Sequence, residues 1–156
     1  MALSLLRTQS SLAPTLLRLP LGVVFFAHGC QKTLGLFGGS GLNATISMFE
    51  HGMHIPPVFA YLAVAAEFLG GLGLILGFLT RIAALGICAN MCVAMYRVHW
   101  RNGLFINWSG QQRGEGIEYH LLAIGMCLAL MILGAGILSV DHALAGSAGS
   151  GKKSRR

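Results

Sequence analysis

The sequence has few charged side chains. Only 10% of its 156 residues are charged, and only 5 are acidic. A soluble domain carries about 25% charged residues because its surface faces water, so this composition excludes an ordinary soluble globule. Hydrophobic residues make up 54% of the chain, and the mean hydropathy is +0.68. The lipid bilayer is therefore the expected surroundings of the folded chain.

Motifs for metals and electron-carrying groups are also missing. The chain has no nucleotide-binding fingerprint, no haem or iron–sulfur motif, and no HxxxH or ExxH spacing. None of the four cysteines (Cys30, Cys88, Cys92 and Cys127) stands in a CxxC, and all lie in apolar runs, where thiols usually act as small buried hydrophobes. We therefore predict no haem, flavin or metal site.

The net charge of +6 does not indicate a nucleic-acid partner. The basic residues either flank apolar segments or lie in the Gly/Ser-rich C-terminal tail. That distribution is typical of membrane topology signals and of electrostatics at the cytoplasmic leaflet. We predict no nucleic-acid binding.

Four segments are apolar and long enough to cross a bilayer, which takes about 20 residues. They cover about Pro14–Gly35, Pro57–Leu79, Arg81–His99 and Ile117–Val140. The predicted fold is an all-α membrane protein, a bundle of four transmembrane helices. Its predicted parts are an N-terminal cytoplasmic segment (1–13), the transmembrane domain (14–144) and a disordered basic tail (145–156).

A short helix is predicted between the first and second spans. Leu42, Ile46, Phe49 and Met53 recur at helical spacing, which predicts an amphipathic helix lying in the membrane interface and closed by Gly52.

The distribution of Lys and Arg predicts the orientation. With both termini inside, the inner side holds seven of these residues and the outer side four. The excess of positive charge on the cytoplasmic side favours cytoplasmic termini and places the two longer loops outside.

Ionisable residues at membrane depth are costly and therefore mark candidate functional positions. At about 1.5 Å per residue, His28 on the first helix and Glu67 on the second both lie near the middle of the membrane, close to the level of Asn90. A second polar layer nearer the outer face holds Lys32, Arg97, His99, Glu118 and His120. We expect His28 and Glu67 to face each other in a polar pocket that opens toward the outer surface.

We predict two kinds of site residue in this pocket. Glu67, His28 and Glu118 are the candidate catalytic residues, since carboxylates and imidazoles transfer protons. The candidate ligand-binding residues are Lys32, His99, Asn90, Arg97 and His120. On the fourth helix, Glu118, Leu122, Gly125 and Ala129 are predicted to face inward. A structural alternative stays open, in which Glu67 belongs to a buried ion pair that only holds the helices together. Arg18 or Arg81 is predicted to form a similar structural ion pair with Asp141.

The residues singled out above resemble the DoxX family. The resemblance runs in order over residues 14–144, and its stretches are 18–32, 36–42, 66–71, 77–81, 116–120 and 134–141. It implies a four-helix protein of the bacterial cytoplasmic membrane that is connected with redox chemistry, because relatives include the membrane subunit of a thiosulfate:quinone oxidoreductase.

Three functions follow as hypotheses. The first is a quinone-binding membrane subunit of an oxidoreductase, with electrons supplied by a partner protein. The second is a non-catalytic anchor or assembly subunit that holds a protein partner on its outer face or forms a homo-oligomer. The third is a small-solute or proton pathway, which is disfavoured because no inverted repeat is visible.

Overall fold

The computed structural model describes residues 6–145, and the regular structure in this range is helical, with no strand. The helices are α1 (Ala13–Leu34), α2 (Gly41–Ser47), α3 (Pro57–Leu76), α4 (Thr80–Ala94) and α5 (Glu118–Leu133). A π-helical turn, Met48–Gly52, continues α2, and another, Met95–His99, continues α4. Residues 140–145 are helical again. Parts of the predicted segments 1–13 and 145–156, namely residues 1–5 and 146–156, lie outside the described range.

Three helices have the length and composition to cross a membrane. They are α1, α3 and the continuous helix from Thr80 to Asn102 that contains α4. The apolar helix α5 has 16 residues, which gives about 24 Å at about 1.5 Å per residue, against a hydrocarbon core of about 30 Å. The membrane character of the chain is thus established by three helices, and the fourth crossing stays a prediction.

The bundle has two different ends. The end where α1 and α4 finish carries the longer connections, which cover residues 35–56 and 103–117; we call it the long-loop end. At the other end, only residues 77–79 join α3 to α4; we call it the short-turn end. The short connection makes α3 and α4 an antiparallel pair, as the sequence predicted.

The fourth predicted helix was too long at its C-terminal end. It was expected to continue to Val140, but α5 ends at Leu133. Gly134 and Gly136 both have φ of +81°, a region that glycine enters readily and that stops a right-handed helix. The chain then folds back across the short-turn end.

The core is filled by side chains from α1, α3, α4 and α5. Its fully buried members include Phe25, Leu74, Ile87, Cys127 and Leu130. Large apolar side chains also cover the outside of the same helices, as at Val23, Leu69, Leu122 and Ile132. An apolar exterior is what lipid contact requires. All four cysteines are free, and only Cys92 is exposed.

The contact between α1 and α3 depends on glycine. A Cβ atom added at Gly29 would lie 2.4 Å from the Cα of Phe68, and one added at Gly71 would lie 2.4 Å from the backbone nitrogen of Phe26. Small residues allow helix backbones to approach closely in membranes. This close approach places Lys32, at the end of α1, beside the middle of α3.

We expect Gly29→Leu to destabilise the bundle by about 1–3 kcal/mol, because the added side chain must displace the α3 backbone. Gly125→Leu is the matched control, since nothing lies within 4 Å of a Cβ added there. Unfolding in detergent, followed by circular dichroism, measures both. Equal stability of the two variants would contradict the packing described here.

A buried arginine organises the short-turn end. The Arg18 side chain is 1% exposed and donates hydrogen bonds to the carbonyl oxygens of Leu74, Ile75, Ala135 and Leu138. Two of these carbonyls belong to the last turn of α3, where helix carbonyls otherwise have no partner. Arg18 therefore joins α1, the end of α3 and the segment after α5.

Asp141 completes the same end of the bundle. Its carboxylate oxygens accept hydrogen bonds from the backbone N–H groups of Leu79 and Thr80 at 2.8 and 3.0 Å. The sequence predicted an ion pair of Asp141 with Arg18 or Arg81; the Arg18 guanidinium bonds to backbone carbonyl oxygens instead. Arg18 and Asp141 carry opposite charges and lie at the same end of the bundle.

Candidate functional site

Glu67 lies inside the protein at the middle of α3. Its side chain is 4% exposed, and it forms an ion pair in which the Lys32 ammonium contacts both carboxylate oxygens. The amide of Asn90 on α4 also donates to Oε1 of Glu67 at 2.8 Å. The three side chains, which we call the Glu67 cluster, connect α1, α3 and α4.

Side-chain direction explains why Lys32 reaches Glu67. Side chains lean toward the N-terminus of their own helix. Because α3 begins at the long-loop end, Glu67 leans toward that end. Lys32 lies in the last turn of α1 and leans the opposite way, into the bundle. The two side chains therefore meet although their Cα atoms lie at different depths.

The expectation that His28 faces Glu67 was wrong. His28 is exposed on the outside of α1, whereas the buried positions nearest to it are Phe25 and Gly29. Lys32, one turn further along, occupies the place that was expected for His28. His28 therefore lies outside the Glu67 cluster.

A long groove runs between α3 and α4 and reaches the Glu67 cluster. Its volume is about 1480 Å³, larger than the 300–1,000 Å³ of an ordinary small-molecule pocket. Its walls are mostly apolar side chains of α3 and α4, and Lys32, Glu67 and Asn90 also line it. Leu62, Leu69 and similar exposed side chains border it. The cluster therefore opens sideways between two membrane helices, whereas the sequence predicted an opening at the outer surface.

The second predicted polar layer is divided into two places. Arg97 and His99 line the long-loop end of the groove, and Arg97 donates to the carbonyl oxygen of Met53 at 2.7 Å. His120 is buried on α5, and its ring centroid lies 4.3 Å from that of His99. Glu118 is half-buried at the start of α5, and its backbone N–H donates to Leu104. Its catalytic role stays a prediction.

The predicted inward face of α5 was also wrong. Leu122 and Gly125 are exposed, while the buried residues of α5 are His120, Ala123, Cys127 and Leu130. This rotation turns Tyr119 toward Phe25, with ring centroids 6.2 Å apart. Sequence reasoning did not select Tyr119, because a tyrosine beside a predicted helix start is also an ordinary interfacial residue.

The described residues contain no group of three His, Cys, Asp or Glu side chains placed to hold a metal ion. A buried carboxylate can accept a proton, and the ammonium and amide beside it can donate hydrogen bonds to an oxygen atom.

The fold and the cluster define a class of protein: a helical membrane protein with a buried ion pair at the wall of a groove between two helices. The DoxX family model matches residues 13–100, which is more than half of the 156-residue chain. The chain belongs to the DoxX family, and the resemblance seen in the sequence is confirmed over residues 13–100. No curated protein and no solved structure matches the sequence.

Proposed function

We propose that this DoxX protein binds a quinone or a similar small lipid-soluble ligand and serves as the membrane subunit of a redox system. The observation that carries the proposal is the position of the Glu67 cluster at the wall of the α3–α4 groove. A quinone with an isoprenoid tail needs an apolar slot that opens to lipid, and polar donors at one place along it. The groove offers both.

The donors of the cluster fit the carbonyl oxygen of such a ligand. An ammonium group has three N–H donors, and Lys32 uses two of them on Glu67. Asn90 directs one N–H to Glu67 and has a second. Lys32 is 28% exposed, so its free N–H is within reach of a ligand in the groove.

Each residue of the cluster then has a distinct role. Lys32 and Asn90 orient a ligand oxygen, and Glu67 takes up or releases a proton beside it. A bound quinone would supply the two-electron, two-proton chemistry. Electrons come from a partner protein, since the sequence has no motif for a resident electron carrier.

The membrane arrangement is part of the proposal. We infer that α5 is a fourth crossing and that α2 lies in the interface. The termini would be cytoplasmic in a bacterial inner membrane, with the long-loop end outside. The count of seven basic residues against four supports this orientation.

A second function, as a non-catalytic anchor, is supported by the loop between α4 and α5. Glu115 fixes this loop by accepting hydrogen bonds from the backbone of Asn107 at 2.7 Å and from the side chain of Asn102 at 3.0 Å. The loop presents Trp108, which is 87% exposed. An ordered loop with an exposed tryptophan suits either the membrane interface or a protein partner.

Binding of a short-tailed quinone to purified protein in nanodiscs tests the first function. We expect Ala89→Phe to weaken binding at least tenfold, because Ala89 is exposed and lines the groove beside Asn90. Gly125→Phe adds a phenyl ring of the same size in open space on α5 and should leave binding unchanged. If wild-type protein binds no quinone, or both variants bind equally, the groove is not the site and the anchor function is favoured.

A further inference from the structure

Another cavity lies at the short-turn end and shares no lining residue with the α3–α4 groove. Its volume is about 330 Å³, which suits a small ligand or a headgroup. Within residues 6–145 its lining consists of two basic, two polar and two apolar residues, namely Arg7, Arg81, Thr8, Gln9, Ile132 and Leu133. None of these six is acidic. We call it the arginine cavity.

The segment that carries Arg7 is held against the end of α5. The backbone N–H of Gln9 donates to the carbonyl oxygen of Leu133 at 3.0 Å. The Thr8 hydroxyl accepts a hydrogen bond of 2.5 Å from the backbone N–H of Gly136. These bonds fix the backbone on both sides of the cavity wall. Arg7 itself is exposed, so its guanidinium is accessible to a ligand.

Arg81 reaches the same place from the first turn of α4. It is half-buried, and its Nη2 atom donates to the carbonyl oxygen of Ile132 at 3.1 Å. This bond holds the guanidinium at the last turn of α5, where helix carbonyls otherwise lack partners. Capping α5 is therefore one role of Arg81. It does not explain why a second arginine, Arg7, lines the same cavity.

The arginine cavity lies at the depth of lipid headgroups. In a bilayer the short-turn end lies at a membrane surface, because α1 and α4 begin there and α3 ends there. Ile132, at the cavity wall, is 74% exposed on an outer face that suits an acyl chain. Guanidinium groups match phosphate oxygens in geometry and charge, and basic pockets beside membrane helices bind anionic headgroups.

We propose that the arginine cavity binds the phosphate group of an anionic phospholipid. Arg7 and Arg81 contact the phosphate oxygens, and Ile132 contacts the acyl chain. The exposed Gln9 side chain has an amide that can bond to hydroxyl groups of the headgroup. Inorganic phosphate has the same oxygens but no chain to cover Ile132. The lipid would join the segment before α1 to α4 and α5, and the inference does not depend on quinone binding.

Native mass spectrometry of the purified full chain, titrated with lipid in detergent, measures this binding. We expect wild type to bind phosphatidylglycerol more tightly than phosphatidylcholine, because the arginines repel the choline ammonium. Arg7→Gln should weaken phosphatidylglycerol binding about tenfold through loss of a charge-assisted hydrogen bond. Arg113→Gln removes the same charge at an exposed position of the long-loop end and should bind like wild type.

Arg81→Gln should also weaken binding, and circular dichroism of the same sample shows whether it folds. Because Arg81 also caps α5, the exposed Arg7 keeps the test decisive if Arg81→Gln does not fold. Equal phosphatidylglycerol binding by wild type, Arg7→Gln and Arg113→Gln would overturn the proposal.

Added salts separate a lipid headgroup from a free anion. Bound phosphatidylglycerol is challenged with inorganic phosphate and, at the same ionic strength, with sodium chloride. We expect the lipid to stay bound in both salts. Displacement by phosphate alone would assign the cavity to a free anion, and displacement by both salts would indicate non-specific attraction. Either result would overturn the phospholipid site.

Discussion

Arg18→Met is expected to lower the free energy of unfolding by about 3–5 kcal/mol, because it leaves buried backbone acceptors without their donor. Arg18 donates to carbonyl oxygens of both α3 and the segment after α5. Each buried polar group left unpaired costs roughly 1–3 kcal/mol, and the losses partly overlap because Leu74 and Ile75 share one nitrogen of Arg18. Denaturation in a mixed detergent, monitored by circular dichroism, gives the value.

Two further variants test whether the lost hydrogen bonds of Arg18 cause the expected loss of stability. Arg101→Met removes an exposed arginine and should change stability by less than about 0.5 kcal/mol. Arg18→Lys keeps the charge but loses the planar fork that reaches several carbonyls at once, so its stability should fall between wild type and Arg18→Met. The account of the short-turn end fails if Arg18→Met is as stable as Arg101→Met.

Lys32→Met is the second substitution with a large expected effect. It leaves the Glu67 carboxylate buried and without its counter-ion, and breaking such a pair costs about 3–5 kcal/mol. Adding Glu67→Gln to Lys32→Met should restore most of the loss, because the amide oxygen of glutamine still accepts the Asn90 hydrogen bond while no charge is left in the interior. The same unfolding measurement applies to the single and the double variants.

Comparing the unfolding free energies of Lys32→Met, Glu67→Gln and the double variant shows whether the two side chains stabilise the fold as a pair or independently. Lys32→Arg keeps the positive charge but replaces the ammonium with a guanidinium. It therefore distinguishes the loss of the charge from the loss of the ammonium group itself. If the double variant is as unstable as the sum of the two single variants, Lys32 and Glu67 do not interact energetically. If the double variant regains stability but binds no quinone, the Lys32 and Glu67 side chains are needed for ligand binding and not for stability.

The sequence predicted helices well because hydropathy over about 20 residues is a strong signal. It predicted depth less well, since counting residues places Cα atoms and not the ends of side chains. Lys32 and Glu67 have long side chains that lean toward each other, so their charged groups meet across a difference in Cα depth. His28 is exposed and points away from the bundle.

Helix rotation was the second source of error. All faces of α5 are apolar apart from its first turn, so no amphipathic stripe indicated which side is buried. The sequence therefore selected Leu122 and Gly125, which are exposed, and omitted Tyr119.

The end of α5 is determined by local backbone conformation. Two glycines with positive φ end the helix although the sequence remains apolar to Val140. The α3–α4 groove depends on how two helices cross, and no single segment encodes that.

Photo-cross-linking with a quinone analogue that carries a photoreactive group tests the central claim most directly. After irradiation in nanodiscs, mass spectrometry of peptides identifies the labelled residues. We expect the label on groove residues of α3 and α4 near Asn90, with excess unlabelled quinone abolishing it and Ala89→Phe reducing it. Labelling spread evenly over lipid-facing residues such as Leu16 and Leu122, unaffected by competitor, would contradict a quinone site at Glu67.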